Sequence, residues 1–126
     1  MIVHYQLKNV NSPFTFSGLP YYELENHEIC LLDLCIEYEK NCGNNNRFSF
    51  QSSLVERSAA NPSQLLASFL NRKSEKLIQF TPANKQYYKC EGYNLNEAVF
   101  RITPTKNQEN KIISLYLQLE IIDARL

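Results

Sequence analysis

Residues 112–122 read IISLYLQLEII, in which Ile113, Leu115, Leu117, Leu119 and Ile121 alternate with Ser114, Tyr116, Gln118 and Glu120. Successive side chains of a strand point to opposite faces, so this period of two predicts a half-buried β-strand. A helix would scatter the same apolar positions around its circumference. In residues 28–38, EICLLDLCIEY, one face carries Cys30, Leu32, Leu34, Ile36 and Tyr38. The other face carries Ile29, Leu31, Asp33, Cys35 and Glu37, passing from apolar to polar, as in a central strand covered on both faces for part of its length. The cluster Asn41-Cys42-Gly43-Asn44-Asn45-Asn46 then leads into RFSFQS, where Phe48 and Phe50 alternate with Arg47, Ser49 and Gln51. Two such runs around an Asn/Gly turn predict a β-hairpin.

Shorter strands are expected at Ile2–Leu7, Phe14–Phe16, Lys76–Thr81, Gln86–Cys90 and Glu97–Thr103. In the last of these Ala98, Phe100 and Ile102 oppose Val99, Arg101 and Thr103. Between them lie Pro13, Gly18, Pro20, Pro82, Gly92 and Pro104, turn signals at the spacing of a sandwich or barrel. One helix is expected over 61–73. Asn61 suits an N-cap, Pro62 the first helical position, and Leu65, Leu66, Phe69 and Leu70 recur at helical spacing before Arg72 and Lys73. The fold expected is mainly β, an antiparallel β-sandwich or jelly-roll of about eight strands with one short helix.

The chain's 126 residues suit a single domain, 1–126, large enough to bury a core. With 13 basic and 13 acidic side chains, it lacks the charge footprint of a nucleic-acid or anionic-lipid binder. The longest apolar run is too short to span a bilayer, and the N-terminal residues do not read as a secretory signal. An intracellular, non-secreted protein is therefore expected. Four cysteines, Cys30, Cys35, Cys42 and Cys90, permit buried free thiols, two disulfides in any of three pairings, or a metal. Cys30 and Cys35 would lie on opposite faces of one strand, no C-x-x-C occurs, and free thiols fit best.

Catalytic chemistry finds few candidates. The only histidines are His4 and His27, both read as strand or strand-end residues, and neither a G-x-S-x-G elbow nor an H-E-x-x-H motif is present. Asp33, flanked by apolar positions, would need a partner such as Arg101 or Arg47 if buried. Glu37 lies roughly 13 Å along the same face, too far for a glycosidase carboxylate pair. Three isolated glycines make neither G-x-G-x-x-G nor a P-loop. No catalytic residue, cofactor or metal is expected, and stacking of bases on Tyr87 or Tyr88 beside Lys85 and Lys89 is the weaker reading of those residues. Tyrosine brings apolar area with a polar handle to interfaces, so Tyr21, Tyr22, Tyr87, Tyr88, Tyr93 and Tyr116 are candidate contact residues.

ELENHEICLLDLCIEY (23–38), GNNNRFSF (43–50) and NLNEAVFRITPTKNQENKIISLYLQLEII (94–122) follow one another as strand, Asn-rich turn, aromatic strand, then strand, polar turn and alternating strand. This order resembles small capsid-associated β-sandwich, jelly-roll-like proteins of polinton-like elements, virophages and related double-stranded DNA viruses. The resemblance implies a virion component that assembles with copies of itself or with other capsid-type proteins, without catalytic residues. The alternative is a carbohydrate-binding module using Tyr21, Tyr22, Tyr93 and Asn94, against which the lack of Trp weighs.

Overall fold

A computed structural model describes residues 1–15, 21–91 and 94–125. The alternating stretch forms β8 (Ile112–Asp123), which pairs along its length with β2 (His27–Tyr38). The remaining strands are β1 (Ile2–Val10), β3 (Asn46–Ser52), β4 (Leu65–Asn71), β5 (Leu77–Phe80), β6 (Tyr88–Lys89) and β7 (Phe100–Pro104). The first sheet runs β1-β8-β2-β5, with β6 also on β2, and the second runs β4-β3-β7. All pairings are antiparallel.

Phe14 extends the second sheet by bridging Phe100, each amide donating to the other's carbonyl at 2.9 Å. With that segment included, the first sheet holds the order β1-β8-β2-β5 and the second Phe14-β7-β3-β4. Early and late strands interleave in both sheets, which is the double Greek-key wrapping of a jelly roll. The inner faces share one core that unites Leu34, Ile36, Leu115 and Leu117 with Phe48, Phe50, Phe100 and Ile102. Rings join the sheets where Phe69 stacks on Phe80 at 4.4 Å and Tyr38 meets Phe48 at 6.1 Å.

Several sequence expectations change in detail. β2 and β3 do not form a hairpin: β8 and β5 occupy the two edges of β2, so the chain must cross to the other sheet after Tyr38. That crossing is held by buried Asn46, whose amide donates to the Cys42 and Lys106 carbonyls at 2.8 and 3.0 Å. Its oxygen accepts the Thr105 and Lys106 amides at 3.0 and 3.1 Å. Gly43, at φ 87°, supplies the left-handed turn within the same loop.

A bulge at Leu32 also breaks the expected face of β2, because Leu31 pairs with Leu119 and Asp33 with Gln118. One extra residue reverses the alternation. The core face is therefore Ile29, Leu31, Leu34, Ile36 and Tyr38, while Cys30 and Leu32 leave it. A second irregularity sets Tyr38 against Ile112 and Glu37 against Ser114, so Ile112 is buried and Ile113 is exposed.

No helix forms at 61–73; Leu65–Asn71 is a strand. Ala67 and Phe69 pair with Phe50 and Phe48, and Phe69 stacks on Phe48 at 5.3 Å. The aromatic partners on β3 and β5 outweigh a weak helical propensity. Asn61 acts as a strand-end clamp, accepting the Leu65 amide at 2.9 Å and donating to its carbonyl at 3.1 Å. The strand expected at Gln86–Cys90 shortens to Tyr88–Lys89, and the one expected at Glu97–Thr103 begins only at Phe100, Glu97 instead closing a 3-10 turn over Leu95–Glu97. Phe16, like Gly18, Pro20 and Gly92, lies outside the described residues.

Candidate interaction surface

The six tyrosines singled out from sequence occupy different environments. Tyr21 is 68% exposed and donates to Glu23 at 3.2 Å. Tyr22 is half-buried, its ring edge-on to His27 at 5.4 Å and its hydroxyl 3.3 Å from His27 Nε2. Because His27 Nδ1 lies 2.7 Å from the Glu25 carbonyl, a neutral His27 donates there and accepts from Tyr22. Tyr88 pairs with Ile29 and packs on the core. Tyr116 points outward from β8, its hydroxyl 2.9 Å from His4 Nδ1. Tyr93 lies outside the described residues.

Tyr87 fastens a strap over the outer face of the first sheet. Between β5 and β6 the chain crosses Cys30, whose thiol meets the Gln86 backbone and is fully buried there although it faces away from the core. Tyr87 donates to Glu120, which pairs with Cys30 on the neighbouring strand, and Lys85 reaches the same carboxylate at 3.4 Å. Glu120 pushes the Tyr87 hydroxyl up from 10.0 to about 12. The Tyr87 bond in turn lowers Glu120 from 4.5. The Tyr87 contribution is thus fully present below pH 10 and lost as pH rises through about 12. That of Glu120 is present above 4.5 and lost as pH falls through its lowered value. In an NMR titration of ring-labelled tyrosine, Glu120→Gln is expected to return Tyr87 towards 10; identical titration in both proteins would contradict the strap.

The other feature of this sheet is its β1 edge. β1 pairs with β8 from Ile2↔Glu120 to Val10↔Ile112 without a bulge. Met1 and Ile121 exchange both main-chain hydrogen bonds at 2.8 Å. Hydrogen-bonded pairs recur every second residue in an antiparallel ladder, so Val3, Tyr5 and Leu7 bond to β8. The N–H and C=O groups of Ile2, His4, Gln6 and Lys8 therefore point to the free edge. Among the described residues no strand pairs there.

Side chains on the same strand leave the core incompletely closed. Val3, Tyr5 and Leu7 turn inward and pack on the core, yet stay half-buried, whereas their partners Leu119, Leu117 and Leu115 are buried. The other edges are shorter or interrupted: β5 and β6 have 4 and 2 residues, β4 has 7 with a bulge, and β7 has 5 and is bridged by Phe14. From Ile2 to Lys8, where Asn9 at φ 53° ends the regular stretch, β1 offers an edge without proline or an inward charge, roughly 23 Å long.

No protein-family model and no curated protein matches the chain. Its function is read from the chemistry its own surface presents.

That chemistry is sparse in reactive constellations. Asp33 accepts a bond from Thr81 at 2.9 Å, not from Arg101 or Arg47, which face outward on the other sheet. The four cysteines are free; Cys30 and Cys42 are buried, Cys35 and Cys90 half-buried, and burial pushes the Cys90 thiol up to about 12. Among the described residues no three His, Cys, Asp or Glu side chains group as metal ligands, and no helix is long and apolar enough to cross a membrane. The β1 alternation was visible in IVHYQLKNV, but its place at a sheet edge follows only from the topology.

Proposed function

We propose that this chain is an assembly module that pairs with a second copy of itself through β1. The observation that carries the reading is the unbulged free edge of β1 beside the half-buried row Val3, Tyr5 and Leu7. Antiparallel pairing about a two-fold axis at Tyr5 sets His4 against Gln6 and Ile2 against Lys8 on the outer face. On the inner face it sets Val3 against Leu7 and Tyr5 against Tyr5. No like charges oppose one another, and about eight main-chain hydrogen bonds form. The pairing joins two five-stranded sheets and covers the row of side chains that the second sheet leaves half-exposed. Strand addition of this kind takes its affinity from the main chain and its register from alternating side chains.

The virion setting rests on the resemblance of 23–38, 43–50 and 94–122, together with the jelly-roll wrapping. Coat proteins and lectins share that wrapping, so the fold supports the setting by analogy alone. The sugar-binding alternative has less support, because Tyr22 is turned against His27 rather than presented as a platform.

Amide hydrogen exchange at two protein concentrations tests the pairing. Val3, Tyr5 and Leu7, bonded to β8, are expected to be protected at both. Ile2, His4, Gln6 and Lys8 are expected to gain protection only at the higher concentration. Fast exchange of these four at every concentration would overturn the reading.

A further inference from the structure

On the second sheet, away from β1, we infer that the depression between the 57–64 loop and the outer face of β3 and β7 binds a small oxyanion, a phosphoryl or sulfuryl group. The cavity is about 320 Å³, and its lining includes Gln51, Ser53, Arg57, Ser63, Gln64 and Arg101, with no carboxylate. Two arginines line it from separate elements. Arg101 stands on β7 opposite Gln51, and the Gln51 amide donates to the Ser63 carbonyl at 2.9 Å, tying the loop to the sheet. Arg57 comes from the loop, where its Nη2 donates to Gln64 Oε1 at 3.1 Å.

Neither arginine is held in an ion pair. Among the described residues the ion pairs are Lys85–Glu120 and Arg125–Asp123, both on other parts of the molecule. Arg57 and Gln64 also line an adjoining depression that holds Glu91 and Glu97, and there Glu91 accepts the main-chain amide of Arg57 at 3.0 Å rather than its guanidinium. A planar guanidinium with unused N–H groups suits the tetrahedral oxyanion, which it can grip with two parallel bonds.

The backbone beneath Arg57 is also held in an uncommon form. Among the described residues, the non-glycine residues at positive φ are Asn9, Asn26, Asn45, Asn107 and Gln64, the last at φ 57°. Asparagine tolerates that region readily; glutamine does so at a cost of strain. Gln64 is fixed there by its amide, which donates to the Val55 carbonyl at 2.8 Å, and by its main-chain carbonyl, which accepts the Ser52 amide at 3.1 Å. The strain is maintained in a residue whose side-chain oxygen orients Arg57 over the depression, the setting in which stored strain accompanies a binding function.

Isothermal titration and amide chemical-shift mapping with sodium phosphate, sodium sulfate and sodium chloride at matched ionic strength test the site. Phosphate or sulfate is expected to give saturable shifts at Ser53, Ser63, Gln64 and Arg101, and chloride none. A phosphate preference would point to phosphorylated ligands, and a sulfate preference to sulfated ones. Arg101→Gln removes an exposed side chain and should leave the thermal midpoint without anion unchanged, while weakening binding about tenfold or more. Arg57→Gln should weaken it similarly. Non-saturable shifts in the unaltered protein, equal response to chloride, or unchanged affinity in the Arg57→Gln, Arg101→Gln double variant would each overturn the assignment.

Discussion

Leu117→Asp is expected to leave the chain without a cooperative unfolding transition. Leu117 is fully buried at the centre of β8, opposite Tyr5 on one side and Leu34 on the other. An aspartate there has no cation within the core and faces Leu34, Ile36 and Leu115. Loss of the leucine together with burial of a carboxylate costs more than about 4 kcal/mol, a large share of the 5–15 kcal/mol that holds a domain together. Thermal denaturation followed by circular dichroism reads the effect, and an unchanged midpoint would contradict the core assignment. Ile113→Asp supplies the contrast. Strict alternation puts Ile113 and Leu117 on the same face, but the irregularity at Tyr38 leaves Ile113 38% exposed. Its substitution is expected to cost less than about 1 kcal/mol, as surface changes do.

Gln6→Pro is expected to abolish self-association while leaving the fold intact. The Gln6 amide points away from β8, so losing its N–H removes nothing from the β1–β8 ladder. Proline is tolerated on an edge strand when its missing donor faces outward. In the pairing about Tyr5, however, Gln6 donates to His4 of the second copy, and the proline ring obstructs the approach of that strand. Tyr5→Pro is the opposite case, because the Tyr5 amide bonds to Leu117 within the sheet. It should destabilise the monomer by about 3 kcal/mol or more. If both prolines unfolded the protein to the same extent, the assignment of β1 amides to the two sides would be wrong.

The elements most legible in the sequence were those whose burial follows a simple period. Residues 112–122 and the pair of rows Ala98, Phe100, Ile102 and Val99, Arg101, Thr103 declare their strands, and the latter are buried and exposed as the alternation requires. The bulge at Leu32 was not legible. It depends on how β2 meets β8, and nothing in EICLLDLCIEY marks where one extra residue fits. Cys30 shows the consequence, since it is buried as expected but beneath the Tyr87 strap instead of in the core.

Residues 61–73 misled for a different reason. Asn61, Pro62 and the Leu65, Leu66, Phe69, Leu70 spacing are compatible with a helix, and only the aromatic partners Phe48 and Phe80 select the strand. The hairpin expectation assumed that neighbours in sequence are neighbours in the sheet, which jelly-roll wrapping reverses for β2 and β3. For the candidate surfaces, residue type was visible and position was not. The alternation of β1 carries no sign that one edge stays open, and Arg57 and Arg101 come to line one depression only once the 57–64 loop folds back on β3.

Mass measured by multi-angle light scattering across a range of concentrations tests β1 pairing most directly, with Gln6→Pro measured alongside. The unaltered chain is expected to pass from monomer to dimer or larger discrete assembly as concentration rises, while Gln6→Pro stays monomeric with an unchanged circular dichroism spectrum. A strict monomer at every concentration, or an assembly that Gln6→Pro leaves intact, would contradict it.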